Sequence, residues 1–166
     1  MRSPNWDARP RGTAVTLLVV HSISLPPGRY GGDAIERLFT NRLDPAAHPY
    51  YQKIFNMKVS THFLIRRSGE LVQFVPVAKR AWHAGLSTWR GRNRCNDFSV
   101  GVELEGAEGE RFRPAQYRRL RRLIQSLRAT LPLRELAAHS DVAPGRKTDP
   151  GSNFNWMRLL DELART

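Results

Sequence analysis

Cysteine and long apolar runs are scarce in this chain of 166 residues, which has one cysteine, Cys95. One cysteine excludes an intramolecular disulfide and any zinc cluster built from cysteines, so a bound metal needs histidine and carboxylate ligands. The longest apolar stretch, Ala14 to Val20, is far shorter than the ~20 residues of a membrane-spanning helix. The N-terminal residues MRSPNWDARPRG lack the apolar segment of a signal peptide. We therefore expect a cytoplasmic protein with no membrane partner.

Acidic residues are also few: 27 Lys and Arg face 15 Asp and Glu, for a net charge of +12. Such a charge attracts anionic partners. Many of the arginines lie between residues 111 and 134, where Tyr117, Leu120, Ile124 and Leu127 recur at helical spacing. The pattern predicts an amphipathic helix with a solvated arginine face. Because no nucleic-acid-binding motif accompanies it, nucleic-acid binding stays an alternative and is not expected.

Repeats, low-complexity tracts and long linkers are absent, and the length is typical of one compact domain. Ala14 to Val20 predicts a buried strand, and VSTHFLIRR and ELVQFVPV predict a hairpin around Ser68-Gly69. FSVGVELEG predicts a further strand. With three predicted helices, these strands indicate an α/β fold in which helices flank a central mixed β-sheet.

Two of the predicted helices have candidate N-caps. Asp33 precedes AIERLF with Glu36 three residues later, which is typical of a capping box. The closing helix, FNWMRLLDELA, is predicted to be capped by Ser152 or Asn153.

The histidines are the main candidates for metal binding and catalysis in this chain. Two of the five histidines follow predicted strands. His21 ends the first buried strand, and His139 ends the short apolar run ELAAH. With Asp149 in the next loop they would make a catalytic zinc set that leaves one position open. Such triples also arise by chance, and no HExxH motif is present, so satisfied structural histidines remain an alternative. Of the others, His48 is predicted at the surface, His62 packed, and His83 in a cleft or at a turn.

Three charged residues have both a structural and a functional interpretation. Lys147 lies in the Pro/Gly-rich loop HSDVAPGRKTDPG. It is either a solvated surface lysine or a cation that stabilises an oxyanion. Glu103 and Glu105 alternate with Val102 and Leu104 along one strand. Because an unpaired buried carboxylate is costly, each glutamate either pairs with an arginine or faces a cleft as a general base.

Four strings carry a resemblance to a known family: TLLVVHSISLPPGRYGG, VSTHFLIRRSGELVQFVPVAKRAWHAG, RNRCNDFSVGVELEG and HSDVAPGRKTDPG. In this order they resemble the AmpD-type N-acetylmuramyl-L-alanine amidases, zinc enzymes that recycle cell-wall fragments. Phage lysozyme-type amidases and peptidoglycan recognition proteins are more distantly similar. The likeness runs from about Thr16 to Trp156, and it implies one zinc amidase domain of that fold over residues 1–166, with residues 1–13 as a lead.

The resemblance implies a role for five of the residues above. His21, His139 and Asp149 match the ligands of Zn²⁺, Glu103 matches the catalytic glutamate, and Lys147 matches the catalytic lysine. The implied reaction is hydrolysis of the amide between N-acetylmuramic acid, preferentially its 1,6-anhydro form, and L-alanine of the stem peptide.

The resemblance also implies substrate contacts. Arg94 matches an arginine of the peptide-binding region, while Trp82 packs against the sugar or in the core. Ser22 stands where relatives often have asparagine, and Lys58 where they often have arginine, so peptide affinity is expected to differ. The expected partner is an anionic muropeptide, and the chain is expected to be a monomer. The alternative on the same fold, a non-catalytic peptidoglycan-binding module, would lose a zinc ligand, and all three are present.

Overall fold

The structure is a computed structural model and describes residues 1–165. Its strands are β1 (Trp6–Ala8), β2 (Leu17–Ile23), β3 (Phe63–Ile65), β4 (Leu71–Gln73), β5 (Lys79–Ala81), β6 (Thr88–Trp89), β7 (Arg92–Asn93), β8 (Ser99–Glu105) and β9 (Glu135–Ala138). Its α-helices are α1 (Ala34–Phe39), α2 (Pro49–Ile54), α3 (Pro114–Arg128), α4 (His139–Val142) and α5 (Trp156–Ala164). None of the helices within residues 1–165 has the length and apolarity needed to cross a membrane.

A five-stranded mixed sheet with the order β4-β3-β8-β2-β9 forms the centre of the fold. β2 is parallel to β8 and β9, β3 is parallel to β8, and β3 and β4 form an antiparallel pair. The predicted central mixed sheet and the hairpin are therefore confirmed, although the hairpin strands are shorter than expected. Two small antiparallel pairs, β1-β5 and β6-β7, lie outside this sheet.

The first buried strand lies further along the chain than its apolar residues indicate. The expected strand was Ala14 to Val20, whereas β2 runs from Leu17 to Ile23 and includes His21. The cause is β8, which continues as a parallel partner as far as the pair Ile23 and Glu105. His21 therefore lies within the strand and not at its exit.

The amphipathic character of α3 is confirmed. Its four periodic apolar residues are buried in the same core cluster as Val100, Val102 and Leu104 of β8. The helix begins at Pro114, and Arg118, Arg122 and Arg128 are exposed on its other side. Packing of one apolar stripe against the sheet thus explains why this segment forms a helix. The exposed arginines need no ligand for the helix to form.

The predicted N-cap of α1 is confirmed in position but not in bonding, and the predicted cap of α5 is wrong. Asp33 precedes α1 but makes no capping hydrogen bond, and its carboxylate pairs with Arg37 at 2.7 Å. The α5 cap is Asn155, whose Oδ1 accepts from the Arg158 N–H at 2.8 Å. Phe154 is 3% exposed, and its N–H donates to the Gly151 carbonyl. The chain before α5 is therefore a turn fixed by core packing, which moves the helix start beyond Ser152 and Asn153.

A buried ionic cluster joins the sheet to α1 and to the loop before it. The Arg66 guanidinium donates to Glu36 and, at 2.9 Å, to Glu105, and all three side chains are at most 10% exposed. Glu105 also accepts from the Gly31 and Arg67 N–H groups at 2.7 and 3.0 Å. The cluster explains why Glu36 does not act in a capping box.

Replacing the cation of this cluster is expected to destabilise the fold. Arg66→Met leaves two buried carboxylates without their partner, so the free energy of unfolding is expected to fall by about 3–5 kcal/mol. Urea denaturation measures it. Arg37→Met removes the exposed pair with Asp33 and is the control, with little expected change. Equal stability of the two variants would contradict the importance of the buried cluster.

Candidate active site

Three side chains distant in sequence meet at the carboxyl edge of the sheet. The Nδ1 atoms of His21 and His139 lie 2.9 Å apart, and Asp149 Oδ2 lies 3.0 Å from His139 Nδ1 and 3.3 Å from His21 Nδ1. β2 and β9 are adjacent and parallel, so their carboxyl ends meet at one edge. The Asp149 carbonyl accepts from the Ser140 N–H at 3.0 Å, which brings its loop back to His139.

The protonation of these groups leaves lone pairs on His139 Nδ1 and Asp149 Oδ2 close to a neutral His21 ring. His139 Nε2 lies 3.4 Å from the Ala84 carbonyl oxygen, which can only accept, so the ring proton belongs on Nε2 and Nδ1 is bare. Burial lowers the pKa of His21 to about 4, so its ring is neutral near pH 7. Burial opposes ionisation of Asp149, but contacts with His139 and His21 outweigh it and lower the pKa of the carboxyl.

The three atoms fit a zinc ion. With zinc–ligand bonds of about 2.0–2.1 Å, the corners of a tetrahedral site lie about 3.3 Å apart, close to the separations of these donors. Three electronegative atoms this close repel each other unless a cation or proton lies among them. Two imidazoles and one carboxylate are a donor set of catalytic zinc sites, which keep one position open.

Glu103 lies on β8 directly opposite His21 in the strand register. Its Oε2 atom is buried and, among the described residues, has no hydrogen-bond partner. Burial raises the pKa of the Glu103 carboxyl well above its usual value, the charge of Asp149 adds to this, and Lys147 opposes it. Of the two glutamates on this strand face, Glu105 is the one paired with an arginine, and Glu103 is the one that faces a cleft.

Lys147 reaches the same cleft from the loop between α4 and α5. The backbone N–H groups of Arg146 and Lys147 both donate to the Ala143 carbonyl at 3.1 Å, which closes the turn through Pro144 and Gly145. Within residues 1–165 the Lys147 ammonium makes no ion pair within 4 Å. Lys147 is also exposed and lines the cleft, so its cation is available to a ligand.

The cleft has a volume of about 410 Å³ and an apolar end beyond the metal ligands. Ser22 and Trp82 line it together with Glu103 and Lys147, and the apolar end includes Leu25, Phe39, Tyr50, Ile54 and Val59. Lys58 and Arg94 are not among the lining residues. Lys58 is exposed between two residues that line the cleft, and Arg94 is exposed and pairs with Asp97 at 3.2 Å. Roles for these two residues stay predictions.

The other three histidines lie in three different environments. His48 caps α2 by accepting from the Tyr50 N–H at 3.0 Å, and His62 is fully buried. His83, for which the sequence left a cleft or a turn open, lines the cleft, and its Nδ1 lies 2.9 Å from His21 Nε2. The sequence predicts no role for this contact with His21, and the WHAG string is the only feature of the sequence that draws attention to His83.

The family model for N-acetylmuramoyl-L-alanine amidases matches residues 11–152. The chain belongs to the N-acetylmuramoyl-L-alanine amidase family. Over 159 residues it is 52% identical to the 1,6-anhydro-N-acetylmuramyl-L-alanine amidase AmpD of Escherichia coli K12, covering 95% of this chain and 87% of that protein.

Solved structures support the same grouping. The crystal structure of a selenomethionine derivative of AmpD matches with a TM-score of 0.94 and 48% identity, over 98% of this chain and 92% of that one. The E. coli amidase AmiD, solved with anhydro-N-acetylmuramic acid-L-Ala-D-γ-Glu-L-Lys, matches with a TM-score of 0.67 and 28% identity, over 93% of this chain and 60% of that one. The predicted amidase-type fold is thereby confirmed.

Zinc binding should depend on the Asp149 carboxylate. Purified protein is expected to bind about one zinc per chain, and Asp149→Ala should weaken binding by more than the 10–100-fold that loss of an outer contact costs. Competition with a chromophoric chelator measures the Kd. Asp161→Ala, which removes an exposed carboxylate of α5, is the matched control. Unchanged zinc affinity in Asp149→Ala would show that the metal binds elsewhere.

Proposed function

We propose that this chain is a zinc-dependent amidase that hydrolyses the bond between N-acetylmuramic acid, preferentially in its 1,6-anhydro form, and the L-alanine of a stem peptide. The observation that carries the proposal is the meeting of His21, His139 and Asp149 beside Glu103 and Lys147 in one cleft. The presence of all three ligand side chains favours an enzyme over a non-catalytic binding module.

The relatives support the substrate class. The E. coli relative is named a 1,6-anhydro-N-acetylmuramyl-L-alanine amidase, and AmiD was solved with an anhydromuramyl tripeptide as substrate. The cleft supplies an apolar end for a sugar, and Lys147 supplies a cation for a carboxylate. We propose that the whole chain forms one amidase domain, and that it acts as a monomer in the cytoplasmic recycling of such fragments.

Amide hydrolysis needs a more electrophilic carbonyl and a more acidic water than neutral solution provides. When zinc is bound by His21, His139 and Asp149, it supplies a Lewis acid that polarises a carbonyl and increases the acidity of water. The remaining tasks, which are to move protons, to balance charge and to position the substrate, belong to side chains of this chain.

Glu103 is assigned the proton transfers. As the water oxygen bonds to the amide carbon, the Glu103 carboxylate accepts a water proton at Oε2. It then donates this proton to the alanine nitrogen as the carbon–nitrogen bond breaks. A carboxyl whose pKa is raised by burial suits both transfers, because a catalytic group works best with a pKa near the operating pH.

Lys147 is assigned to charge balance. The tetrahedral intermediate carries negative charge on the former carbonyl oxygen, and a cation at the edge of the cleft stabilises that charge. The unpaired ammonium of Lys147 does not have to break an ion pair to do so. The carboxylates of the stem peptide are a second source of negative charge, for which Arg94 and Lys58 are the proposed partners, while Ser22 and Trp82 are proposed to contact the substrate inside the cleft.

Mass spectrometry of muropeptide cleavage tests the proposed function. Incubation with an anhydromuramyl peptide is expected to release a peptide beginning with L-alanine, faster than from the ordinary muramyl peptide. A chelator should abolish the release, and added zinc should restore it. Cleavage at another bond, or full activity in verified metal-free protein, would overturn the proposal.

Glu103→Gln should separate proton transfer from metal binding. The substitution keeps the shape of the side chain and removes its basicity, so kcat should fall by about 10²–10⁴-fold while the zinc content stays at one per chain. Steady-state kinetics with metal analysis measures both. Glu110→Gln, at an exposed position outside the cleft, is the control. A near-normal kcat in Glu103→Gln contradicts the assignment.

Lys147→Ala should affect kcat more than KM. Loss of one oxyanion-stabilising group costs about 10²–10³-fold in kcat, whereas a residue that only grips the substrate would raise KM alone. Lys53→Ala, which removes an exposed lysine of α2, controls for the net charge. Lys147→Arg, which keeps a cation, is expected to recover part of the lost kcat.

A further inference from the structure

The two candidate histidine ligands are held at their outer nitrogens in different ways. His139 Nε2 contacts the Ala84 carbonyl, a group that can only accept a hydrogen bond. His21 Nε2 contacts His83 Nδ1 at 2.9 Å, and a histidine nitrogen can either donate or accept. The tautomer of His21 therefore depends on which nitrogen of His83 carries a proton. That is set by the group that contacts His83 Nε2.

Ser99 decides the tautomer of His83. The Ser99 hydroxyl has one hydrogen, and it donates this hydrogen to the Cys95 carbonyl at 2.5 Å. The same oxygen lies 3.1 Å from His83 Nε2, so it must accept there, and His83 carries its proton on Nε2. A neutral His83 then presents a lone pair at Nδ1, and His21 has to donate to it through Nε2. This leaves His21 Nδ1 bare on the side of Asp149 and His139.

The surrounding structure fixes His83 in this position. A Cβ atom at position 101 would come within 2.5 Å of His83 Cγ, so Gly101 provides the room in which the ring lies against β8. The His83 and Ala84 N–H groups donate to Asn96 Oδ1 at 3.2 and 2.8 Å. The Arg146 guanidinium donates to the Ala84 carbonyl at 2.6 Å. The short segment that contacts both imidazoles is thus held from two sides.

We propose that His83, oriented by Ser99, is a positioning residue that holds His21 in the Nε2–H tautomer and so directs its Nδ1 lone pair to the metal. The proposal rests on the zinc site of the proposed function. It adds that metal affinity depends on a chain of hydrogen bonds from Cys95 through Ser99 and His83 to His21. Partners of this kind fix the orientation and tautomer of metal-binding histidines.

Nuclear magnetic resonance on the zinc-loaded, ¹⁵N-labelled full chain reads the tautomers directly. Long-range ¹H–¹⁵N spectra are expected to show His83 neutral with its proton on Nε2, and His21 protonated on Nε2 with Nδ1 shifted by the metal. A His83 ring protonated on Nδ1, or on both nitrogens, would overturn the proposal.

Zinc affinity of paired variants separates positioning from packing. His83→Leu removes the acceptor and should weaken zinc binding by about 10–100-fold. His83→Asn can place an amide oxygen near the position of Nδ1, so it should recover much of the affinity. His62→Asn is the control, because His62 is also buried and packs against His83 but makes no hydrogen bond with His21.

Ser99→Ala is a milder variant in case the His83 substitutions do not fold. It removes the hydroxyl that fixes the tautomer of His83, so it should also weaken zinc binding. Wild-type affinity in both Ser99→Ala and His83→Leu, or equal losses in His83→Leu and His83→Asn, would overturn this inference alone. Failure of the wild-type chain to bind zinc would instead overturn the proposed function, and the inference with it.

Discussion

The parallel pairing of β2 with β8 and with β9 is the constraint on which the site depends. It aligns the carboxyl ends of three strands, so His21, Glu103 and His139, which are far apart in sequence, lie along one edge. The pairing is stabilised by strands that are buried on both faces, with Leu17 to Val20 of β2 fully buried. The apolar core therefore sets the spacing of the polar groups above it, and the Asp149 loop has only to return to an edge that already exists.

Burial gives these polar groups their chemistry. Glu105 has Arg66 and two backbone N–H groups and is satisfied, whereas Glu103, two residues earlier on the same face, has an oxygen without a partner. The same low polarity keeps His21 and His83 neutral, because desolvation disfavours their charged forms. One strand thus carries a structural carboxylate and a reactive one, and the difference lies in what each of them contacts.

The periodicity of apolar residues correctly predicted which side of an element faces the core. The alternation along β8 and the apolar stripe of α3 are both confirmed, because each depends on which side of one element faces the core. The predicted end of β2 and the predicted capping box of α1 were wrong, since they depend on partners elsewhere: β8 extends the strand, and Arg66 binds Glu36 from 30 residues away. The family likeness pointed to the ligand set, but the role proposed for His83 needed its contacts with His21, Ser99 and Gly101.

Anomalous X-ray diffraction from crystals of the zinc-loaded protein would locate the metal among these side chains. One zinc peak is expected, bound by His21 Nδ1, His139 Nδ1 and Asp149 Oδ2 at about 2.0–2.2 Å from each atom. A peak coordinated by other side chains, or by the Nε2 atom of either histidine, would contradict this assignment.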